Sequence, residues 1–205
     1  MSALPRLNRL LLHPAAKPVA FALCLAPFLL LLGRALADQL GANPQEALIR
    51  GLGDWALRGV CAVLAVTPLR VGLQLTALAR FRRMLGLSAF FYGLMHLLAY
   101  AVFDMEGVWP DMLRDIAKRP FILVGTLTLL LMLPLALTSF NRAIRWLGAA
   151  RWQRLHRLVY VAALTMLLHF FWMRTGKNNF KEVFVYAGIV GVLLGWRVLR
   201  RWRSA

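Results

Sequence analysis

The stretch W-Q-R-L-H-R-L-V-Y-V-A-A-L-T-M-L-L-H-F-F-W, Trp152–Trp172, is the segment that decides the fold class. It is apolar enough to cross a membrane, yet it carries His156 and His169, thirteen residues apart. At a rise of about 1.5 Å per residue, the two imidazoles lie about 20 Å apart along one helix, about two-thirds of a hydrocarbon core. Ionisable side chains inside a spanning helix are costly and usually mark a function, and imidazole is a common ligand of metals and heme iron. The stretch therefore predicts a membrane protein with an electron path.

Composition indicates a membrane protein over the whole chain. Of the 205 residues, 60% are hydrophobic and only 16% are charged, and near-continuous apolar runs replace the amphipathic segments of a soluble domain. The net charge of +17 comes from basic residues at the ends of these runs. This distribution favours topology signals over a nucleic-acid-binding face. Cys24 and Cys61 lie inside apolar runs and cannot form a C-x-x-C metal site or a disulfide framework.

Six apolar runs predict six spanning helices in one all-α integral membrane bundle. The runs cover about residues 19–37, 51–69, 85–103, 120–137, 153–173 and 183–198, and we assign them to a single domain over residues 1–205. A basic tail before an apolar run also describes a signal peptide, but the first run is longer than a typical signal core. We therefore expect the first helix to be retained.

Basic residues predict the orientation of the bundle. Sixteen of the 25 Lys and Arg residues fall in the N-terminal tail, the loops after the second and fourth runs, and the C-terminal end. The positive-inside rule places these segments, and with them both termini, in the cytoplasm. The loop that carries Asp104, Glu106, Asp111 and Asp115 is then expected to face outward.

Three histidines in two runs are the candidate cofactor ligands. His96 lies about ten residues into the third run, where a lone histidine is often only a helix-to-helix hydrogen-bonding group. His169 is expected at a similar depth because both runs lead outward, so His96 and His169 could approach one iron from opposite sides. His13 lies before Pro14, outside any span.

The helical wheel separates the two histidines of the fifth run. At about 100° per residue, thirteen residues leave His156 and His169 about 140° apart on a straight helix. Stacking two hemes between two helices is helped by same-face spacing, and the third run offers no second histidine. One fully histidine-ligated heme is therefore favoured over two. His156 keeps three possible roles: ligand of a second heme with a non-histidine partner, contact to a propionate or flavin phosphate, or an interfacial residue.

Four arginines are expected at the cytoplasmic rim: Arg82, Arg83, Arg154 and Arg157. A guanidinium group there could hold a heme propionate or a flavin phosphate. For any one of them, topology signalling is the simpler explanation.

Five segments carry a family resemblance: R-R-M-L-G-L (Arg82–Leu87), H-L-L-A-Y (His96–Tyr100), R-P-F-I-L-V-G (Arg119–Gly125), P-L-A-L-T-S (Pro134–Ser139) and W-Q-R-L-H-R-L-V-Y (Trp152–Tyr160). By their order and spacing, over nearly the whole chain, they resemble the MsrQ family, heme-binding membrane subunits of periplasmic methionine sulfoxide reductase systems. The family belongs to the wider ferric-reductase-like transmembrane group. Its heme-linked histidines fall on His96, His156 and His169, and His13 matches none of them.

The resemblance implies a b-type-heme subunit of the bacterial inner membrane, with FMN also associated. Such subunits take electrons from the quinone pool or a cytoplasmic flavin reductase and pass them to a periplasmic molybdenum-cofactor subunit, which reduces methionine sulfoxide in oxidised envelope proteins. The chain has no G-x-G-x-x-G fingerprint, so a separate donor is expected. The loops Asp104–Asp115 and Arg174–Lys181 are the candidate partner-docking surfaces, because both are expected on the periplasmic side.

Other function classes stay open on sequence alone. A ferric or other transmembrane heme oxidoreductase would use the same ligands. A proton or anion transporter would also place histidines and arginines in a bundle, but it more often shows internal repeats or paired broken helices. The two halves of this chain show no clear repeat. A purely structural anchor would not need three intramembrane histidines.

Overall fold

The computed structural model describes residues 3–176 and 178–203. Over these residues all regular elements are helical. One 3₁₀ segment covers Thr76–Phe81, and one π-helical segment covers Tyr100–Asp104. The ten α-helices are α1 (Ala3–Leu12), α2 (Ala16–Leu36), α3 (Pro44–Gly72), α4 (Arg82–Ala99), α5 (Trp109–Lys118), α6 (Pro120–Leu137), α7 (Asn141–Leu147), α8 (Ala149–His156), α9 (Leu158–Thr175) and α10 (Lys181–Arg203).

Within residues 3–176 and 178–203, six helical segments are long and apolar enough to span a membrane, which confirms the six-helix prediction. They are Ala16–Leu36, Pro44–Gly72, Thr76–Asp104, Pro120–Leu137, Ala149–Thr175 and Lys181–Arg203. Five of them differ in their bounds from the predicted runs, because charged residues near helix ends shorten a hydropathy run without ending the helix. Lys177, in one predicted docking loop, and the first two residues of the basic tail lie outside the described residues.

The start of α3 illustrates this difference. The Asn43 side chain accepts a hydrogen bond from the Glu46 N–H at 3.1 Å, and Pro44 occupies the first helical turn. An asparagine cap followed by proline is a strong helix start. Glu46 then pairs with Arg50 one turn later. The helix therefore begins several residues before the apolar run that starts at residue 51.

The α3 helix also extends beyond the predicted end at residue 69, because it continues through Pro68 to Gly72. Proline has no N–H to donate to the carbonyl four residues earlier, which is that of Leu64. The Arg197 guanidinium on α10 donates to the Leu64 oxygen instead. A membrane interior offers no water to satisfy a free carbonyl, so Arg197 makes a helical proline tolerable here.

The fifth span, Ala149–Thr175, departs from a regular α-helix at one residue, Arg157. Between α8 and α9 the Arg157 N–H bonds to the Arg154 carbonyl at 3.1 Å, and the Tyr160 N–H bonds to the Arg157 carbonyl at 3.0 Å. These are i to i−3 contacts, tighter than those of an α-helix. The angle of about 140° predicted between His156 and His169 is that of a regular α-helix, and the tighter contacts at Arg157 alter it locally.

Two helix pairs make the most extensive packing contacts: α3 with α4, and α6 with α9. Small residues let the paired backbones come close, as membrane helices require. A Cβ at Gly59 would lie 2.8 Å from the Ala89 Cβ on α4, and Ala162 and Ala163 of α9 are fully buried. The α10 helix packs against both α3 and α9.

The α2 helix lies at the edge of the bundle and is fastened by one tyrosine. The Tyr92 hydroxyl of α4 donates to the Cys24 carbonyl at 2.7 Å and accepts from the Phe28 N–H at 2.9 Å. Those two backbone groups would bond to each other in a regular helix. The hydroxyl therefore joins the α2 ladder beside Pro27, with one bond to each of these two groups.

Replacing Tyr92 with phenylalanine is expected to lower the free energy of unfolding by about 1–3 kcal/mol, because two backbone groups lose their partner in an apolar setting. Thermal unfolding in detergent would measure this loss. Tyr186→Phe is the matched control: its hydroxyl accepts one bond from the exposed Arg58, so its loss should be smaller. Equal losses for the two variants would contradict the role given to Tyr92.

Candidate functional site

His96 on α4 and His169 on α9 face each other between the two helix pairs. Their ring centroids lie 6.0 Å apart, and the ring planes are inclined by 78°. The two histidines are 73 positions apart in the sequence, so the meeting of α4 and α9 creates the pair. The depth argument from the sequence predicted that these two residues would approach each other.

Each imidazole is held by the backbone of the helix paired with its own. The Nδ1 atom of His96 lies 2.8 Å from the Ile49 carbonyl oxygen on α3, and the Nδ1 atom of His169 lies 2.6 Å from the Phe121 carbonyl oxygen on α6. A carbonyl can only accept, so Nδ1 carries the hydrogen in both rings. The second nitrogen, Nε2, then carries the free lone pair in each ring.

Two glycines make room for these rings. A Cβ at Gly53 would lie 3.1 Å from His96 Nδ1, and a Cβ at Gly125 would lie 2.8 Å from both Nδ1 and Cε1 of His169. Each glycine comes four residues after the carbonyl that accepts the hydrogen bond. The ring therefore rests on the bare helix surface directly beside its acceptor.

Both histidines line two adjoining cavities, of about 90 Å³ and 330 Å³. The smaller is bounded mainly by apolar side chains, among them Leu57, Met132, Met166 and Phe170. The larger leads to a polar mouth formed by Asn43, Glu46, Arg50, Asp104 and Arg119. In the described part of the chain, neither histidine Nε2 has a hydrogen-bond partner.

The two imidazoles of His96 and His169 fit a metal whose other coordination positions are already filled by a bound group. With metal–nitrogen bonds of about 2 Å on each side, two imidazole centroids come to roughly 6 Å apart, as they are here. The described residues contain no group of three or more His, Cys, Asp or Glu side chains that could hold an ion. Two axial imidazoles beside apolar cavities suit an iron held in a macrocycle better than a bare ion.

The structure does not bring His156 to this pair. Its ring stacks on Trp152 with centroids 3.8 Å apart, and its Nε2 lies 3.1 Å from the Thr138 hydroxyl. The Trp152 indole N–H donates to the Thr138 carbonyl at 2.9 Å. His156 borders neither of the two cavities. It belongs to a second cluster at the α8 end of the bundle.

The predicted rim arginines also lie away from the histidine pair. Arg82 donates to the Thr67 hydroxyl and Arg83 to the Asn141 side-chain oxygen, each at 2.8 Å, while Arg154 and Arg157 are exposed. The arginines that line the cavities are others, which the sequence argument did not single out: Arg50, Arg119 and Arg174. Each pairs with an acid, respectively Glu46, Asp115 and Glu182.

Comparison with known proteins adds a family to this geometry. Residues 52–167 match the family described as ferric reductase like transmembrane component. The chain is 65% identical over 195 residues to the protein-methionine-sulfoxide reductase heme-binding subunit MsrQ of Polaromonas naphthalenivorans, covering 95% of this chain and 89% of that protein. This chain belongs to the MsrQ family.

Further members of the MsrQ family are similar in sequence to this chain over almost the same length. The protein of the same name from Ralstonia nicotianae is 48% identical over 192 residues, covering 93% of this chain and 88% of that protein. The one from Herminiimonas arsenicoxydans is 47% identical over 188 residues, covering 92% and 86%. No solved structure matches the chain.

Within this member of the MsrQ family, the two histidine seats form a matched pair. We define a seat as a helix carbonyl and the glycine four residues later. The first is Ile49 with Gly53, and the second is Phe121 with Gly125, an offset of 72 positions for both residues. His96 and His169 follow with an offset of 73. The two seats share one local arrangement, an apolar residue four positions before a glycine on the helix paired with that of the histidine.

Proposed function

We propose that this chain is the b-type-heme electron-transfer subunit of a protein-methionine-sulfoxide reductase in the bacterial inner membrane. The observation that carries the proposal is the His96–His169 pair, 6.0 Å apart between apolar cavities. The names of the MsrQ relatives supply the reductase system. In this view the chain relays electrons and is not the site of substrate reduction.

His96 and His169 are the residues that would hold the heme iron, through their Nε2 atoms. Bound heme would supply one-electron oxidation and reduction. The Ile49 and Phe121 carbonyls keep each imidazole in one tautomer and make it a more basic ligand. Leu57, Met132 and Phe170 line the smaller cavity, and such apolar side chains favour a fixed, low-dielectric surrounding for electron transfer.

The polar mouth of the larger cavity would receive the acidic edge of the heme. Arg50 and Arg119 line this cavity, and guanidinium groups bind carboxylates in a planar, two-point geometry. Arg50 already pairs with Glu46, and Arg119 already pairs with Asp115. A bound propionate would then join an existing ion pair and would not have to order a free side chain.

The proposed electron path runs from the cytoplasmic to the periplasmic side of the expected orientation. The positive-inside rule places both termini and His156 on the cytoplasmic side, with the His96–His169 pair nearer the periplasm. His156 would then serve the entry of electrons, as ligand of a second heme or as contact to FMN. The donor is the quinone pool or a cytoplasmic flavin reductase, and the acceptor is a periplasmic molybdenum-cofactor methionine sulfoxide reductase.

The α5 helix would dock that acceptor. It lies within the predicted docking loop, between α4 and α6. The Tyr100 hydroxyl, one turn after His96, donates to the Asp115 carboxylate at 2.6 Å. Trp109 and Leu113, four residues apart on one face, are 63% and 65% exposed, an exposure that leaves them free for a partner. The loop 174–181 would lie at the same side of the membrane. Residues 1–205 would form one domain, since α10 packs on α3 and α9.

The absorption spectrum of the detergent-purified protein from heme-replete cells tests the proposal. We expect a Soret band that shifts when dithionite is added, with about one or two hemes per chain. A protein that folds with six helices but shows no such band would overturn the electron-transfer proposal and favour a transporter. Retained heme with no reduction by quinol or flavin reductase would overturn the proposed donors only.

A further inference from the structure

We infer that Gly53 and Gly125 are positioning residues, which set the strength and geometry of the two axial imidazoles without contacting the iron. The inference rests on the proposed heme function and deepens it. It assigns a role to two helix-surface glycines that carry no side-chain chemistry of their own.

Each ring lies too close to its glycine for a side chain to be added there without movement. A Cβ at Gly125 would approach two ring atoms of His169 to 2.8 Å, which is closer than side-chain packing allows. A Cβ at Gly53 would approach His96 Nδ1 and Cε1 to 3.1 Å and 3.2 Å. The first ring would have to move, whereas the second would need to shift by only a few tenths of an ångström.

An added side chain would displace each ring in a defined direction. The seat carbonyl and the glycine lie on the same helix face, one turn apart. A side chain at the glycine therefore pushes the ring away from the oxygen that accepts its Nδ1–H. The ring loses that hydrogen bond and, because it is rigid, its Nε2 moves as well. One substitution would thus alter both the basicity and the aim of the ligand.

The two seats differ in how closely they hold their rings. The His169 seat has both the shorter hydrogen bond, 2.6 Å against 2.8 Å, and the tighter glycine contact. We therefore expect the His169 side of the iron to tolerate less change than the His96 side.

Glycine-to-alanine variants of the full chain test the inference. Loss of a partner that orients a metal ligand typically weakens metal retention about 10- to 100-fold. We expect G125A to lie near the upper end of that range and G53A near the lower. Heme per chain, the ferric low-spin electron paramagnetic resonance signal and the reduction midpoint would each be measured. Both the signal and the midpoint should move away from those of the wild type.

Two other glycines provide matched controls. A Cβ at Gly59 would also meet a neighbour at 2.8 Å, the Ala89 Cβ, but it touches no histidine. G59A should therefore lower the melting temperature while leaving the ferric signal unchanged. Gly188 has no heavy atom within 4 Å of such a Cβ, so G188A should match the wild type in both measurements.

Several results would overturn the inference. Wild-type heme retention and signal in G125A and G53A would do so, as would a change in G59A as large as that in G125A. If G125A does not fold, the milder G53A still decides, because its unchanged signal would contradict the role. Absence of heme from the wild-type protein would overturn the proposed function and this inference together, whereas heme retained by all variants alike overturns the inference alone.

Discussion

Replacing His96 or His169 with glycine is expected to weaken heme retention by more than about 100-fold, because loss of a mere orienting partner already costs about 10- to 100-fold. Each variant removes one of two imidazoles that approach each other to 6.0 Å, and no other described His, Cys, Asp or Glu cluster can replace it. Heme per chain after size-exclusion chromatography would measure the loss.

Free imidazole separates a ligand role from a structural one. In a glycine variant the removed ring leaves a space beside Gly53 or Gly125, and imidazole added to the buffer should enter it and restore the spectrum. His13→Gly is the matched control, since His13 lies between α1 and α2, outside the spans. Wild-type heme content in either His96→Gly or His169→Gly would show that the ligand pairing is wrong.

His156→Gly is expected to leave the spectrum of the His96–His169 pair intact, because His156 borders neither cavity. Any heme or flavin that this variant loses would then belong to the cluster of His156, Trp152 and Thr138. This comparison also decides between one heme and two.

Replacing Arg197 with leucine is expected to lower the free energy of unfolding by about 1–3 kcal/mol, because the Leu64 carbonyl is left without a donor. Arg197 also donates to the Leu193 carbonyl and lies over the Tyr160 ring. These other contacts contribute to the total loss, so a single variant cannot isolate the bond to Leu64.

A double-mutant cycle with Pro68→Ala isolates it. Alanine at position 68 restores the backbone N–H that Leu64 lacks, while the contacts to Leu193 and Tyr160 are unchanged in both backgrounds and cancel. Arg197→Leu should therefore cost less in the Pro68→Ala background, as measured by thermal or denaturant unfolding in detergent. An equal cost in both backgrounds would show that Arg197 does not compensate for the proline.

The example of Pro68 also shows where sequence reasoning stops. Hydropathy predicted six spans correctly, because membrane helices must satisfy their own backbone groups and so depend on local composition. It could not show how α3 continues through Pro68, because nothing near that position in the chain offers a donor to the Leu64 carbonyl. The donor is Arg197, 133 residues away, and only the packing of α10 on α3 brings it there.

The candidate site, like the fold, could be predicted from the sequence only in part. The depth of His96 and His169 could be counted along two runs, and the structure brings these residues together. Their seats could not be predicted, because Gly53 and Gly125 have no side chain and their role depends on which ring rests on them. His156 was expected to lie apart from the other two histidines, and in the structure its ring stacks on Trp152.

The measurement that tests the central claim most directly is the electron paramagnetic resonance spectrum of the oxidised, detergent-purified protein at low temperature. Two imidazoles on one iron predict a six-coordinate, low-spin ferric signal, and His96→Gly or His169→Gly should convert it to a high-spin signal that imidazole reverses. A wild-type protein whose heme is wholly high-spin, or whose low-spin signal survives both substitutions, would contradict the assignment of His96 and His169 as the paired ligands.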